Sequence, residues 1–457
     1  MPQRSRPAPP PSAVDPGPRP VVCMISLGCA KNQVDSERLV GALVQEGFLL
    51  ASDPADADLA LVNTCAFLRS ARSETVRTLR GLQALKRSSR LRKVIAAGCY
   101  PSSSTRVPGA DLVLPFDRYA ELVAVCRQAL GLPPKDGWAE SPEVLGCAPR
   151  LRFGDKRTAY LKISEGCDNR CAYCRIPSIR GPMRSRPPEA VIDEALELVA
   201  DGARELVLVA QDTAAYGRDL PGGRASLAGL MGRLLDVAGY RWLRLMYAHP
   251  AHLGDDVLEL FGEHRLASYL DMPIQHADDA VLSAMNRPYG ERQLRELVEK
   301  LRRRCPDIAL RTTCLVGFPG EDRAAFRRLL AFVTDAQFDH LGAFAYSPEP
   351  GTPAARMKDQ NSAAVRNRRL HTLLRVQKLV ADMRGQERIG EQLSVLIESP
   401  GGGGQAAIGR SQYQAPEVDG KVVITAPHAG LAALGAGRFH RVIVTGAREH
   451  NLVARLI

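Results

Sequence analysis

Between residues 20 and 132 the chain alternates short apolar, β-rich runs with stretches of helical period. VVCMISLGC precedes DSERLVGALVQEGF, LALVNTC precedes SARSETVRTLRGLQALK, and KVIAAGC forms a third apolar run. Strand-like runs followed by apolar residues recurring every three or four positions predict an α/β layer. The alternation restarts at 151 and continues to about 357 with six candidate strands: AYLKISEGC, ELVLVAQDT, WLRLMYAHP, YLDMPIQH, IALRTTCLVGF and DHLGAFAYS. Helical segments such as PEAVIDEALELVADGA and ERQLRELVEKLRRR separate them. Six β/α units predict a partial barrel with its chemistry at the carboxyl ends of the strands. Residues 358–388 read as one basic, solvated connector helix. From 389 the pattern turns to EQLSVLIES, KVVITAP and RVIVTGA with a PGGGG run, a small β-barrel-like module.

Two stretches have no period. MPQRSRPAPPPSAVDPGPRP lacks the apolar core and cleavage site of a signal peptide and reads as a disordered, Pro-rich tail. LPPKDGWAESPEVLGCAP, residues 133–150, reads as a linker. The expected organisation is a tail (1–20), an N-terminal α/β domain (21–132), a linker (133–150), a partial barrel with its connector (151–388) and a terminal β-barrel (389–457). The fold class is multidomain α/β.

Composition narrows the function classes. No apolar run approaches the twenty or so residues that span a bilayer, so an integral membrane protein is excluded. Without an export signal the expected location is the cytoplasm, where thiols stay reduced; the eleven cysteines then read as metal ligands or buried apolar residues, not disulfides. The net charge of +11 points to acidic partners, nucleic acid among them. Residues 389–457, however, hold six Arg or Lys against five Asp or Glu, less basic than a dedicated RNA-binding module.

Cys167, Cys171 and Cys174 in SEGCDNRCAYCRIP have the spacing C-x3-C-x2-C. Thiolates are soft ligands for zinc, copper(I) or iron-sulfur clusters. With three of them rather than four, either a distant residue closes a zinc site or a cubane keeps one iron open for a small molecule. Cys29, Cys65 and Cys99 each end a predicted strand, and their separations of 36 and 34 residues each fit one strand-helix-strand unit. A parallel sheet would align those strand ends along one edge, where ligands bind. The competing reading is three buried structural cysteines.

With Tyr173 before the last cysteine, the first triplet resembles the radical S-adenosylmethionine signature. That resemblance implies a 4Fe–4S cluster whose open iron binds the amino and carboxylate groups of S-adenosylmethionine and cleaves it to a 5'-deoxyadenosyl radical. Over residues 21–457 the chain resembles the methylthiotransferases, whose plan is a cluster domain, a radical barrel and a TRAM module. SLGCAKNQVDSE, NTCAF and GCYP match that family's other triplet, implying that Cys29, Cys65 and Cys99 hold a second 4Fe–4S cluster for the transferred sulfur. Cys23, Cys126, Cys147, Cys305 and Cys314 are left with structural or no special roles.

ISEGCDNRCAYCRIPSIRG, AQDTAAYGRDL, YSPEPGTPA and GRSQYQAPEVDG resemble the branch that modifies a ribosomal protein rather than tRNA. Gln414 and Ala30 depart from its usual aspartate and proline, which bears on substrate contacts only. The implied reaction is methylthiolation of the β-carbon of an aspartate in small-subunit ribosomal protein S12. Glu417 and Asp419 would face that basic partner, and the basic connector would touch ribosomal RNA. For S-adenosylmethionine the candidates are Tyr173, Gln211 and Asp212, followed by Arg311 and Gly317. GFPGE also reads as a strand-to-helix turn, and His249 and His276 as polar rim residues. No catalytic side chain is assigned, since the chemistry is borne by clusters and cofactor, fed by a low-potential donor such as flavodoxin or ferredoxin. Two alternatives stand: a tRNA adenosine methylthiotransferase, and a non-catalytic zinc protein that binds RNA.

Overall fold

The computed structural model describes residues 19–66, 68–133, 150–223, 225–401, 406–425 and 434–457. The expected tail, Cys147 and nearly all of the 133–150 linker lie outside the described residues. The chain divides into two units, one of Met1–Leu27, Asp35–Thr64 and Ser73–Leu151, the other of Gly28–Val34, Cys65–Arg72 and Arg152–Ile457.

The first unit is built on a five-stranded parallel sheet in the order β2-β1-β3-β4-β5. Its strands are β1 (Val21–Ser26), β2 (Leu49–Leu50), β3 (Leu59–Thr64), β4 (Lys93–Gly98) and β5 (Leu112–Pro115). β3 is buried at every position, which is why LALVNT reads as a continuous apolar run: helices cover both faces of a parallel sheet. Leu59, Leu61, Ile95 and Ala97 pack with Leu39 and Leu43 on one face, while Ala60, Val62, Val94 and Ala96 pack with Leu79 and Leu82 on the other.

The second unit holds β6 (Thr158–Lys162), a two-residue antiparallel pair β7 (Ser164–Glu165) and β8 (Arg184–Ser185), then β9 (Glu205–Val209), β10 (Trp242–Leu245), β11 (Leu266–Asp271), β12 (Ala309–Val316) and β13 (His340–Ala345). All six expected strands join one parallel sheet in plain chain order from β6 to β13, the topology of a six-unit partial barrel. Along each strand successive side chains alternate between faces. Leu206, Leu208, Leu243, Leu245, Leu270 and Leu310 face the helices. Val207, Val209, Tyr269 and Ala309 face the terminal module, against Val395, Ile397, Ala407 and Val442.

That module is a closed barrel, β14-β15-β16-β18-β17, of β14 (Gln392–Ser399), β15 (Ala407–Arg410), β16 (Val422–Thr425), β17 (Phe439–Arg448) and β18 (Asn451–Leu456). A network joins it to the sheet: fully buried Glu205 takes Arg244 at 2.6 Å and Arg410 at 2.7 Å, and Arg410 donates to the half-buried Thr158 Oγ1 at 2.9 Å.

The connector differs from its expectation. Helix Ala363–Glu387 buries Arg369, Leu373, Gln377, Val380 and Ala381, and Gln377 donates to the Phe338 carbonyl at 2.8 Å. Its charges mask an apolar stripe that packs on the sheet. No described helix is long and apolar enough to cross a membrane.

Candidate functional site

The Cys167 loop leaves β7 and returns at β8, closed by the pairs Ser164–Ser185 and Glu165–Arg184. Gly166 opens it with φ +76°, and a Cβ there would lie 2.0 Å from the Pro182 carbonyl, so only glycine fits. Cys167 N donates to Gly181 O at 3.1 Å, Cys174 N to Cys171 O at 3.0 Å, and Ile176 N reaches Cys174 Sγ at 3.4 Å. Cys167 is buried and the other two are half-buried. Burial pushes the Cys167 thiol up and Cys174 to about 12, and a bound metal would favour their thiolates.

A single tetrahedral zinc, with Zn–S near 2.3 Å, would draw its sulfurs to about 3.8 Å from one another. Among the described residues only Asp212, His249 and His252 bring three ligand atoms within 4.8 Å of each other. A cubane instead takes each cysteine on a separate iron.

The Asp212 group is a hydrogen-bonded set. Asp212 accepts from Asn169 Nδ2 at 2.7 Å and meets His252 Nδ1 at 2.6 Å, and His249 stacks on His252 at 4.7 Å. His249 Nδ1 accepts from Ala251 N at 3.2 Å, which puts the neutral ring's proton on Nε2 and leaves no lone pair there for an ion. Burial, then the nearby Arg287, lower His249 to about 3.

The other residues expected at the cofactor separate into two groups. Tyr173 accepts from Arg287 Nη2 at 2.8 Å, and Gln211 donates to Glu165 Oε1 at 2.9 Å. Gln211 Oε1 and Arg287 Nε and Nη1 are buried without a partner, a cost of about 1–3 kcal/mol for each such group unless a ligand meets it. An acceptor and a guanidinium with no carboxylate partner among the described residues fit an amino group and a carboxylate, the two groups on the methionine α-carbon of S-adenosylmethionine. Arg287 was not legible in the sequence: it is one arginine in NRPYG with no spacing cue.

Arg311 is placed elsewhere. It pairs with Asp271 at 2.9 Å and Asp419 at 3.2 Å, within the seam to the terminal barrel. Asp419 also accepts from Tyr269 Oη at 2.7 Å and Ala415 N at 2.8 Å, and its side chain is 1% exposed. The expectation that it faces a basic partner is therefore corrected: local charge from Arg311 turns Asp419 inward, while Glu417 stays exposed. Gly317 has φ +74°, its N–H donates to Glu321, and a Cβ would lie 2.3 Å from Arg366 Cγ, which is the strand-to-helix turn reading. His276 is fully buried 3.8 Å from Glu321, and burial lowers it to about 3.

The segment Gly28–Val34 belongs to the same unit. Gly28, at φ +102°, packs so closely on Cys65 that a Cβ would lie 2.8 Å from the Cys65 Cβ. Asn32 accepts from Arg180 Nη2 at 2.5 Å, and Arg180 pairs with Glu165 at 2.9 Å, so one guanidinium links this segment to the start of the Cys167 loop. Burial raises Glu165, but Lys162 and Arg180 outweigh it and hold the carboxyl far below its ordinary range. The protein packed around Cys29 raises its thiol although its surface is open to solvent, but Lys31 and Arg180 outweigh this and favour the thiolate. Cys29 is exposed, Cys65 half-buried and Cys99 buried; they follow β1, β3 and β4, which are neighbours in the first unit's sheet. Cys23, Cys126, Cys305 and Cys314 are buried, and burial raises Cys126 to about 12.

Comparison with known proteins gives three family matches: the radical SAM superfamily over residues 161–333, uncharacterized protein family UPF0004 over 21–109, and the TRAM domain over 389–457. The ribosomal protein uS12 methylthiotransferase RimO of Geobacter sulfurreducens is 41% identical over 445 residues, covering 95% of this chain and 98% of the relative. The protein of the same name from Desulforudis audaxviator is 41% identical over 444 residues, covering 95% and 97%. Among solved structures, the radical S-adenosylmethionine methyltransferase TsrM from Kitasatospora setae, with cobalamin and a 4Fe–4S cluster bound, superposes with a TM-score of 0.50 at 15% identity, covering 74% and 77%. At that identity the likeness speaks for the fold alone.

Proposed function

Because this chain belongs to the ribosomal protein uS12 methylthiotransferase family, we propose that it replaces a hydrogen on the β-carbon of an aspartate in ribosomal protein S12 with a methylthio group. The observation that carries this reading is the carboxyl edge of the six-stranded sheet. There the Cys167 loop meets Gln211 and the Cys29 segment through Glu165 and Arg180, and meets Arg287 through Tyr173.

No side-chain base removes an unactivated C–H proton near neutral pH, so the hard step belongs to a cofactor that the protein positions and shields. Bound together, two 4Fe–4S clusters and S-adenosylmethionine supply the radical, the methyl group and the sulfur. Cys167, Cys171 and Cys174 would hold one cluster, and Cys29, Cys65 and Cys99 the other. Arg287, steadied by Tyr173, would take the methionine carboxylate, and Gln211, steadied by Glu165, its amino group. Asp212, fixed by Asn169 and His252, borders the same loop. Glu417 keeps its place as an outward-facing carboxylate for the basic substrate, and the exposed face of helix Ala363–Glu387 would meet ribosomal RNA. The reaction belongs in the cytoplasm, with a flavodoxin- or ferredoxin-type donor.

The test is incubation of anaerobically reconstituted protein with S-adenosylmethionine and reductant, offering S12 and tRNA separately, with each product weighed by mass spectrometry. S12 gains the methylthio group. A gain on tRNA instead would replace this reading with the tRNA-modifying one.

A further inference from the structure

Two cations beside the Cys167 loop are neutralised by one carboxylate. Lys162 and Arg180 share Glu165, at 2.7 and 2.9 Å, while Arg311, in the seam to the terminal barrel, has Asp271 and Asp419. Arg287 is assigned above to the methionine carboxylate. Lys31, two residues past Cys29, has no carboxylate within ion-pair distance among the described residues. Its Nζ instead stands 3.4 Å from the centroid of the Tyr247 ring. A cation over an aromatic face is held in place and partly stripped of water, and Asp271, the nearest opposing carboxylate, acts on it only from beyond ion-pair distance, so a low-dielectric site still favours a direct counter-charge.

Tyr247 is placed at a cost. Its φ of +61° is a left-handed conformation that a bulky residue adopts rarely. Hydrogen bonds hold it there, from its own N–H to Asp271 Oδ2 at 3.2 Å and from Thr213 N to its carbonyl at 3.1 Å. Strain held in this way clusters at ligand sites.

We propose that Lys31 is the specificity-determining residue that receives the side-chain carboxylate of the substrate aspartate. The inference rests on the function proposed above and adds to it a named anchor. The target carbon is bonded directly to that carboxylate carbon, so fixing the carboxylate over Tyr247 fixes the β-carbon within reach of the Cys29 side, where sulfur would be delivered. It also supplies a counter-charge in direct contact, which Asp271 does not. A lysine that only offsets the negative charge of a cluster at Cys29 would give no preference for an acidic target residue.

The experiment compares reconstituted holoenzyme binding to S12 carrying its target aspartate and to S12 with that residue changed to asparagine. A charged hydrogen bond made in a desolvated site predicts about a tenfold or greater preference for the aspartate form. In Lys31→Met the preference falls to about one, with KM raised for the aspartate substrate; Lys31→Arg keeps the preference. Absence of the preference in the unaltered enzyme overturns the inference with no variant needed, and so does its persistence in Lys31→Met. If the unaltered enzyme modifies no S12 at all, the function itself is wrong, which is a separate result.

Discussion

Glu205 and Arg410, neither with any exposed side-chain surface, meet at 2.7 Å across the seam between the six-stranded sheet and the terminal barrel. Arg244 holds the other carboxylate oxygen at 2.6 Å. Breaking one partner of a buried ionic group leaves an uncompensated charge, which costs about 3–5 kcal/mol. Arg410→Met is therefore expected to lower the unfolding free energy from urea titration by that much and to unfold the terminal barrel first, as read by limited proteolysis.

The same network sets an acid limit. Burial raises the Glu205 carboxyl, but Arg410 and Arg244 outweigh it and bring it to about 2, below its ordinary 4.5. A group depressed in the folded state adds stability that is complete above the unfolded value and is lost as pH falls from about 4.5 towards 2. The difference corresponds to about 3 kcal/mol. The urea midpoint of the unaltered protein should drop across that window, and Glu205→Gln should show a smaller drop.

Replacing Cys167, Cys171 or Cys174 with alanine should abolish 5'-deoxyadenosine formation while the protein stays folded, and should remove about half of the roughly eight irons expected for two cubanes. Iron and sulfide assays alongside circular dichroism check both halves of this expectation.

Gly166→Ala tests how the loop is held. The new Cβ would sit 2.0 Å from the Pro182 carbonyl at φ +76°, so the backbone must shift, at about 1–3 kcal/mol and with loss of one cluster's iron. Gly202→Ala is the control: its φ is +100°, but nothing lies within 4 Å, so iron content should be unchanged.

Arg287→Met should weaken S-adenosylmethionine binding by about tenfold or more, since a charged hydrogen bond contributes about 1.5–3 kcal/mol. Equilibrium dialysis of the reconstituted protein reads the effect directly.

The legible part of this protein was the part written locally. The C-x3-C-x2-C triplet lies within eight residues, and each of the six strands carries its own apolar run before a helix of clear period. Cys29, Cys65 and Cys99 could be grouped because each directly follows or nearly follows a strand. Gln211, Asp212 and Tyr173 also came from local motifs, and the structure sets them beside the Cys167 loop. What was hidden depends on partners far along the chain. Glu205 and Arg410 are 205 positions apart, and Lys31 meets Tyr247 across 216. Asp419 looked like an outward charge because its partner, Arg311, lies more than a hundred residues earlier. The connector looked solvated because its arginines and lysines outnumber the apolar positions that pack on the sheet.

The central claim is that a hydrogen atom leaves the β-carbon of an aspartate in S12 as a radical. It is tested most directly by preparing S12 with aspartate deuterated at both β positions and running the reaction anaerobically. Mass spectrometry then locates the deuterium in both products. The account predicts 5'-deoxyadenosine carrying one deuterium and a methylthiolated aspartate retaining the other. Unlabelled 5'-deoxyadenosine, or a methylthio group on any other residue, would contradict it.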